Sequence, residues 1–205
     1  MVLQREKPIA VWGWAEAGES VTVAFAGQSK SANADADGKW TLKLDALPAS
    51  AEPRTLVVTG KDGHKIEVKD VLVGEVWLGS GQSNMAMTVA GCYRCDQEKA
   101  AAKFPLIRHY RESSTHATEP QAEGKGAWQE CTPENVGGFS AVLYFFGREI
   151  HREVGVPVGL VNTSVGGTPI ESWVSAETQS SDPETKANFD NQMKNYLAFD
   201  EKKAR

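Results

Sequence analysis

"VGEVWLGSGQSNM", residues 73–85, is where the chain changes character: a short apolar run, Glu75-Val76-Trp77-Leu78, gives way to a turn of small and amide-bearing residues that contains Ser83. Upstream, residues 1–72 read as β throughout. Val21, Val23 and Phe25 alternate with Thr22, Ala24 and Ala26, and Trp40, Leu42 and Leu44 alternate with Thr41 and Lys43, the period of strands buried on one face. Asp37-Gly38 and Asp62-Gly63 supply the positive-φ residues of tight turns between such runs. Short strands at this spacing predict a small all-β sandwich domain over 1–72, with Trp12, Trp14 and Trp40 filling its core rather than binding sugar.

From Val73 onward strand and helix alternate. The run 76–79 leads into a turn and a helix start, and 105–110 reads as a second strand. Phe139, Val142, Leu143, Phe146, Ile150 and Val154 line one face of an amphipathic helix closed by Gly155 and Pro157. A third strand over 157–161 completes the pattern of a parallel α/β sheet, a fold that places ligands at the carboxyl ends of its strands. Two loops leave those ends. One is the serine turn, and the other is Asn162-Thr-Ser-Val-Gly-Gly-Thr-Pro-Ile-Glu-Ser-Trp173. In the second, Thr168 as N-cap, Pro169 at the first helical position and Glu171 closing a capping box predict a helix start. Gly166 and Gly167 would then present free backbone N–H groups to an anion.

Composition removes several classes of function. A charge balance of 22 basic against 27 acidic residues, net −5, contains no basic block, so no nucleic-acid partner is expected. No run approaches the roughly 18 apolar residues of a membrane span, and MVLQREKPIA lacks the apolar region of a signal peptide, so no membrane partner is expected either. Three cysteines include a C-x-x-C pair, Cys92 and Cys95, with no second pair to complete a metal site; a local disulfide or plain thiols are the expectation.

Ser83 fails the stricter motifs. A phosphate loop needs a lysine after its glycines, a dinucleotide loop needs a glycine at Asn84, and the G-x-S-x-G elbow needs one at Met85. What remains is a serine at a strand-to-helix turn whose own N–H can donate to an oxyanion. Most serines there only cap a helix.

The surrounding blocks carry a resemblance. Gly81-Gln82-Ser83-Asn84-Met85 resembles the first block of the SGNH-type carbohydrate esterases, more narrowly the sialate O-acetylesterase family. Met1–Arg5, Val11–Trp14, Gly74–Leu78, Trp128–Glu134, Phe139–Val142, Tyr144–Arg148, Pro157–Leu160 and Gly166–Trp173 follow in that family's order. The resemblance implies an SGNH-hydrolase-like parallel sheet, with 73–205 as the N-terminal part of the esterase domain. It implies that Ser83 attacks an acetyl ester on a sugar and that the N–H groups of Ser83 and of Gly166 or Gly167 hold the oxyanion. Gln82 and Asn84 join them in the site. No metal and no cofactor is called for, the substrate is an acetylated carbohydrate, and the location is periplasmic or secreted.

The family's general base lies in an Asp-x-x-His motif, and a Gln-Gly-Glu block contributes to its site; neither occurs here. His64, His109, His116 and His151 have Lys61, Leu106, Ser113 and Arg148 three positions earlier. Packing or surface roles are expected for three of them, and His116, in a polar loop, retains access to a ligand. Three parallel strands are also fewer than the roughly five of a doubly wound sheet. The chain therefore reads as the N-terminal fragment of a longer esterase whose C-terminal remainder carries the base. The alternative is a non-catalytic carbohydrate-binding module with an esterase-like sheet.

Overall fold

The computed structural model describes residues 1–113, 119 and 121–203, with side chains up to Phe199. The strands before the serine turn are β1 Val2–Gln4, β2 Ile9–Trp14, β3 Ser20–Phe25, β4 Gln28–Asn33, β5 Lys39–Leu44, β6 Ser50–Thr59 and β7 Lys65–Gly79. After it come α1 Ser83–Ala86, α2 Cys95–Ala101, β8 Phe104–Arg111, β9 Trp128–Cys131, α3 Ala141–Val154, β10 Val158–Asn162, α4 Ala176–Ser181 and α5 Pro183–Lys203. The architecture is mixed α/β, and 176–203 adds helix and no strand.

β7 is the spine of the molecule, and it runs straight through the boundary expected at residues 72 and 73. Its first part pairs antiparallel with β6, from Thr59↔Lys65 onward. Its last part pairs parallel with β10, from Val158↔Glu75 to Asn162↔Gly79. β1 adds a short parallel pairing at Leu72 to Gly74. The resulting sheet has the order β4-β3-β6-β7-β10-β8-β9. The expected parallel strands are β7, β10 and β8, and β9 lies antiparallel on β8. Val71, Leu72 and Val73 are all fully buried, because β7 is covered on both faces where it passes from one core to the other.

In the first core, β2 and β5 form a separate two-stranded sheet whose Ile9, Trp40, Leu42 and Leu44 pack on Val21, Val23, Phe25, Leu56 and Val71. The tryptophans do not all fill this core. Gly13 pairs with Trp40, and a β-carbon at Gly13 would lie 2.9 Å from the Trp40 indole, so only Trp40 packs inward. Trp12 and Trp14 fall on the opposite face of β2, 66% and 50% exposed. Asp62 and Gly63, at φ 57° and 75°, turn β6 into β7 as expected. Asp37-Gly38 makes no hairpin: Gly38, at φ 75°, redirects the chain so that β5 joins β2. The tight hairpin lies one turn earlier, where Ala26 and Gly27 at φ 50° and 80° join β3 to β4.

In the second core α3 covers the parallel strands. Ser140 caps its start by accepting the Leu143 N–H, and Gly155 at φ 71° closes it. Its buried face is Ala141, Leu143, Tyr144 and Gly147, about one residue round from the stripe expected from spacing. Val142, Phe146 and Val154 of that stripe are exposed. The reason is close approach: a β-carbon on Gly147 would meet Leu160 of β10 at 2.8 Å, so the helix turns its smallest residue to the sheet. Phe146 instead sets its ring edge on Trp77, with centroids 4.9 Å apart. Arg148 pairs with Glu98 at 2.7 Å and ties α3 to α2.

Candidate active site

Ser83 sits where β7 stops. Gly81, at φ 133°, makes a bend that side-chain-bearing residues avoid, and Gln82 then caps α1. The Ser83 hydroxyl donates to the Gln82 side-chain oxygen at 3.2 Å, and Gln82, Ser83 and Asn84 are all exposed. The loop after β10 is zipped to this turn. Thr163 N–H donates to the Gly79 carbonyl and Val165 N–H to the Gly81 carbonyl, each at 3.0 Å, extending the β7–β10 ladder beyond the strands. The zip brings Gly166 beside the serine: a β-carbon there would lie 3.6 Å from Ser83 Oγ. Gly167 follows at φ 81° with nothing within 4 Å of its own β-carbon position. Gln82, Ser83, Gly166 and Gly167 are thus gathered at the carboxyl ends of two adjacent parallel strands, and Asn84 continues α1 next to Ser83.

The glycine loop is shaped differently from the capping box expected of it. Thr168 Oγ1 donates to the Val165 carbonyl at 2.8 Å and accepts the Trp173 indole N–H at 3.0 Å. The segment that follows is a four-residue 3-10 turn, Ile170–Trp173, entered through Pro169. So short a turn gives Glu171 no third helical position from which to close a box. Gln179 of α4, buried, pins the turn by donating to the carbonyls of Glu171 and Val174, both at 2.8 Å. Asn162 holds the other end: its buried Oδ1 accepts the Ser164 N–H at 2.9 Å and hydroxyl at 2.6 Å. Neither residue was singled out from sequence, although an asparagine two positions before its backbone donor is the mark of an Asx turn.

An amide oxygen cannot take a proton from Ser83, so this arrangement leaves the alcohol protonated at rest. Among the described residues no histidine is hydrogen-bonded to it. His109 is 1% exposed in the second core, stacked on Phe139 at 4.5 Å, and its Nε2 accepts the Ser140 N–H at 3.4 Å. Burial, followed by the charge of Arg111, pulls its pKa down to about 4. His151 is engaged by the Val156 carbonyl at 2.8 Å near the far end of α3. His64 is exposed beside the β6–β7 turn, and His116 lies outside the described residues.

Among the described residues no cluster of His, Cys, Asp and Glu could hold a metal ion, and no helix is long and apolar enough to cross a membrane. The three cysteines are free thiols. Cys95 opens α2, and burial pushes the Cys131 thiol up to about 12, which keeps it protonated.

Comparison with known proteins bears on this site. Residues 73–202 match the family described as carbohydrate esterase, sialic acid-specific acetylesterase. The rat sialate O-acetylesterase is 37% identical over 196 residues, covering 85% of this chain and 36% of its own length. The human sialate O-acetylesterase is 36% identical over 198 residues, covering 87% of this chain and 38% of its own. A crystal structure of a carbohydrate acetylesterase from Xanthomonas citri superimposes with a TM-score of 0.83 at 40% identity, covering 90% of this chain and 42% of that one. The chain therefore spans well under half the length of the relatives it matches.

Proposed function

Since this chain belongs to the sialic acid-specific acetylesterase family of carbohydrate esterases, we propose that it supplies the nucleophile half of a serine esterase. The enzyme removes O-acetyl groups from sialic acid or related acetylated carbohydrates, in the periplasm or outside the cell. On this reading residues 1–72 are a β-sandwich domain and 73–205 the N-terminal part of an SGNH-type esterase domain.

Ser83 Oγ attacks the acetyl carbonyl carbon. The oxyanion accepts from the N–H of Ser83 and from that of Gly166 or Gly167, while Gln82 and Asn84 orient the ester. A histidine from an Asp-x-x-His segment, carried by the C-terminal remainder, takes the serine proton and returns it to the leaving sugar hydroxyl. Water then hydrolyses the acetyl-enzyme, giving acetate and free Ser83. The observation that carries this reading is the close approach of Gly166 to Ser83 across the zipped loops. The place of the remainder is supported by the sheet. β1 pairs with β7 only as far as Gly74, on the edge opposite β6 and β10, so beyond Gly74 that edge has no strand partner among the described strands; Val76 N–H there meets only the Gln4 side chain, and Trp77 and Leu78 are 41% and 68% exposed. An added strand would cover both.

The test is Ser83→Ala in the complete enzyme, assayed on an acetylated sugar or aryl acetate. Turnover should fall roughly a thousandfold or more, while stability changes by no more than about 1 kcal/mol, since the exposed hydroxyl makes a single hydrogen bond to the Gln82 side chain. Near-normal turnover would overturn the assignment. Residues 1–205 alone should show at most residual activity, restored on adding the C-terminal piece. Carbohydrate binding without hydrolysis in the complete polypeptide would identify a binding module instead.

A further inference from the structure

We propose that Ser140 is a positioning residue for Ser83, its buried hydroxyl clamping the short helix on which the serine stands; this inference rests on Ser83 being the nucleophile. α1 has four residues, too few to hold a helical conformation by its own hydrogen bonds. Its internal bonds are Ala86 N–H to the Gln82 carbonyl and Met87 N–H to the Ser83 carbonyl, both 2.9 Å. Further support, beyond the Gln82 cap, comes from the segment that opens α3. Ser140 Oγ donates to the Met85 carbonyl at 2.6 Å, and Ala141 N–H donates to the Met87 carbonyl at 2.8 Å. Ser140 is fully buried, and its hydroxyl works in both directions, since the same oxygen accepts the Leu143 N–H at 3.4 Å as the cap of α3.

The clamp is itself backed from the sheet. The Ser140 N–H points to His109 Nε2 at 3.4 Å, and the His109 ring lies 12° from parallel to that of Phe139. Acceptance at Nε2 puts the ring proton on Nδ1. A continuous series of contacts therefore runs from β8 through His109 and Ser140 to Met85, two residues from Ser83. His109 and Ser140 are buried, whereas Ser83 is exposed. Their effect is on where Ser83 Oγ stands, and a small displacement of a nucleophile costs rate more than binding.

The experiment compares Ser140→Ala, Ser140→Thr, Gly155→Ala and Ser83→Ala in the complete enzyme, well below each melting temperature. Ser140→Ala should lower kcat by roughly tenfold to a hundredfold with KM within about threefold. Ser140→Thr keeps the hydroxyl and should recover most of that loss. Gly155→Ala strains the other end of α3 without touching α1, and should leave kcat unchanged. A kcat for Ser140→Ala no lower than that of Gly155→Ala overturns the inference. Amide hydrogen exchange gives a second readout that needs no catalysis. In Ser140→Ala the Ala86 and Met87 amides should exchange roughly tenfold faster or more, with Val161 unchanged; unaltered protection at both amides also overturns it. Wild-type turnover by Ser83→Ala would instead sink the nucleophile assignment, and exchange alone would then judge the clamp.

Discussion

The strands before residue 72 and the sheet after it use space in opposite ways. Between β2 and the first part of β7 a cavity of about 730 Å³ opens, lined by Leu3, Val11, Trp12, Leu56, Ile66 and Val68 among others. None of the residues that line it belongs to the serine turn or the glycine loop. Its lining is almost wholly apolar. The one carboxylate on it, Glu19, accepts the N–H groups of Lys61 and Glu16 at 2.7 and 2.9 Å, which holds it below its ordinary pKa and commits it to the loop. The second half shows the reverse: α3 packs closely on the parallel strands, and Gln82, Ser83, Gly166 and Gly167 stand exposed beyond the strand ends, at the start of α1 and on the glycine loop. Volume marks where packing is incomplete. Chemistry follows the ends of parallel strands, where side chains and free amides can converge without interrupting a ladder.

If the two halves divide stability and reactivity in this way, substitutions should separate along the same line. Trp40→Ala should cost about 3–5 kcal/mol of unfolding free energy while leaving acetyl-ester kcat per folded molecule of the complete enzyme unchanged. Urea melts with parallel kinetics check this, and a matching fall in kcat would show the halves to be coupled.

The second core should respond to acid. The folded pKa of His109, about 4, lies below its ordinary 6.5, so the unfolded chain binds the proton first. The contribution is complete above about pH 6.5 and is lost as pH falls towards about 4, on the order of 3 kcal/mol in all. Urea melts of wild type and His109→Gln between pH 7 and 4 should converge across that window; a constant gap would contradict the sign.

Gly166→Val in the complete enzyme should lower acetyl transfer roughly a hundredfold, because its branches would press on Ser83, with less effect from Gly166→Ala. A change in melting temperature alone would make the loop a structural turn. Smallest of all, Trp12→Ala should alter stability by no more than about 0.5 kcal/mol, since that indole is 66% exposed. A larger loss would mean that the outer face of β2 is covered in solution.

What could be read from residues alone was whatever neighbours along the chain decide. The alternation in Val21 to Phe25 and Trp40 to Leu44 named the inward faces correctly, and Asp62-Gly63 named its hairpin. Gly155 closed α3 where expected. That the serine turn and the glycine loop leave the same end of a parallel sheet was also legible.

Folding in three dimensions settled the rest. α3 is apolar on more than one side, so spacing could not tell which face Gly147 would turn to Leu160. Thr168 had the form of a cap, but the Val165 carbonyl and the Trp173 indole claimed its hydroxyl. Trp12, Trp14 and Trp40 are equally apolar, and only the register Gly13↔Trp40 separates the one that is buried. Ser140 looked like any helix cap until its hydroxyl met the Met85 carbonyl, 55 positions away. Backbone period and turn chemistry act over a few residues and are written locally. A buried hydrogen bond or a close approach needs two distant segments at one place, and only the packed sheet brings them there.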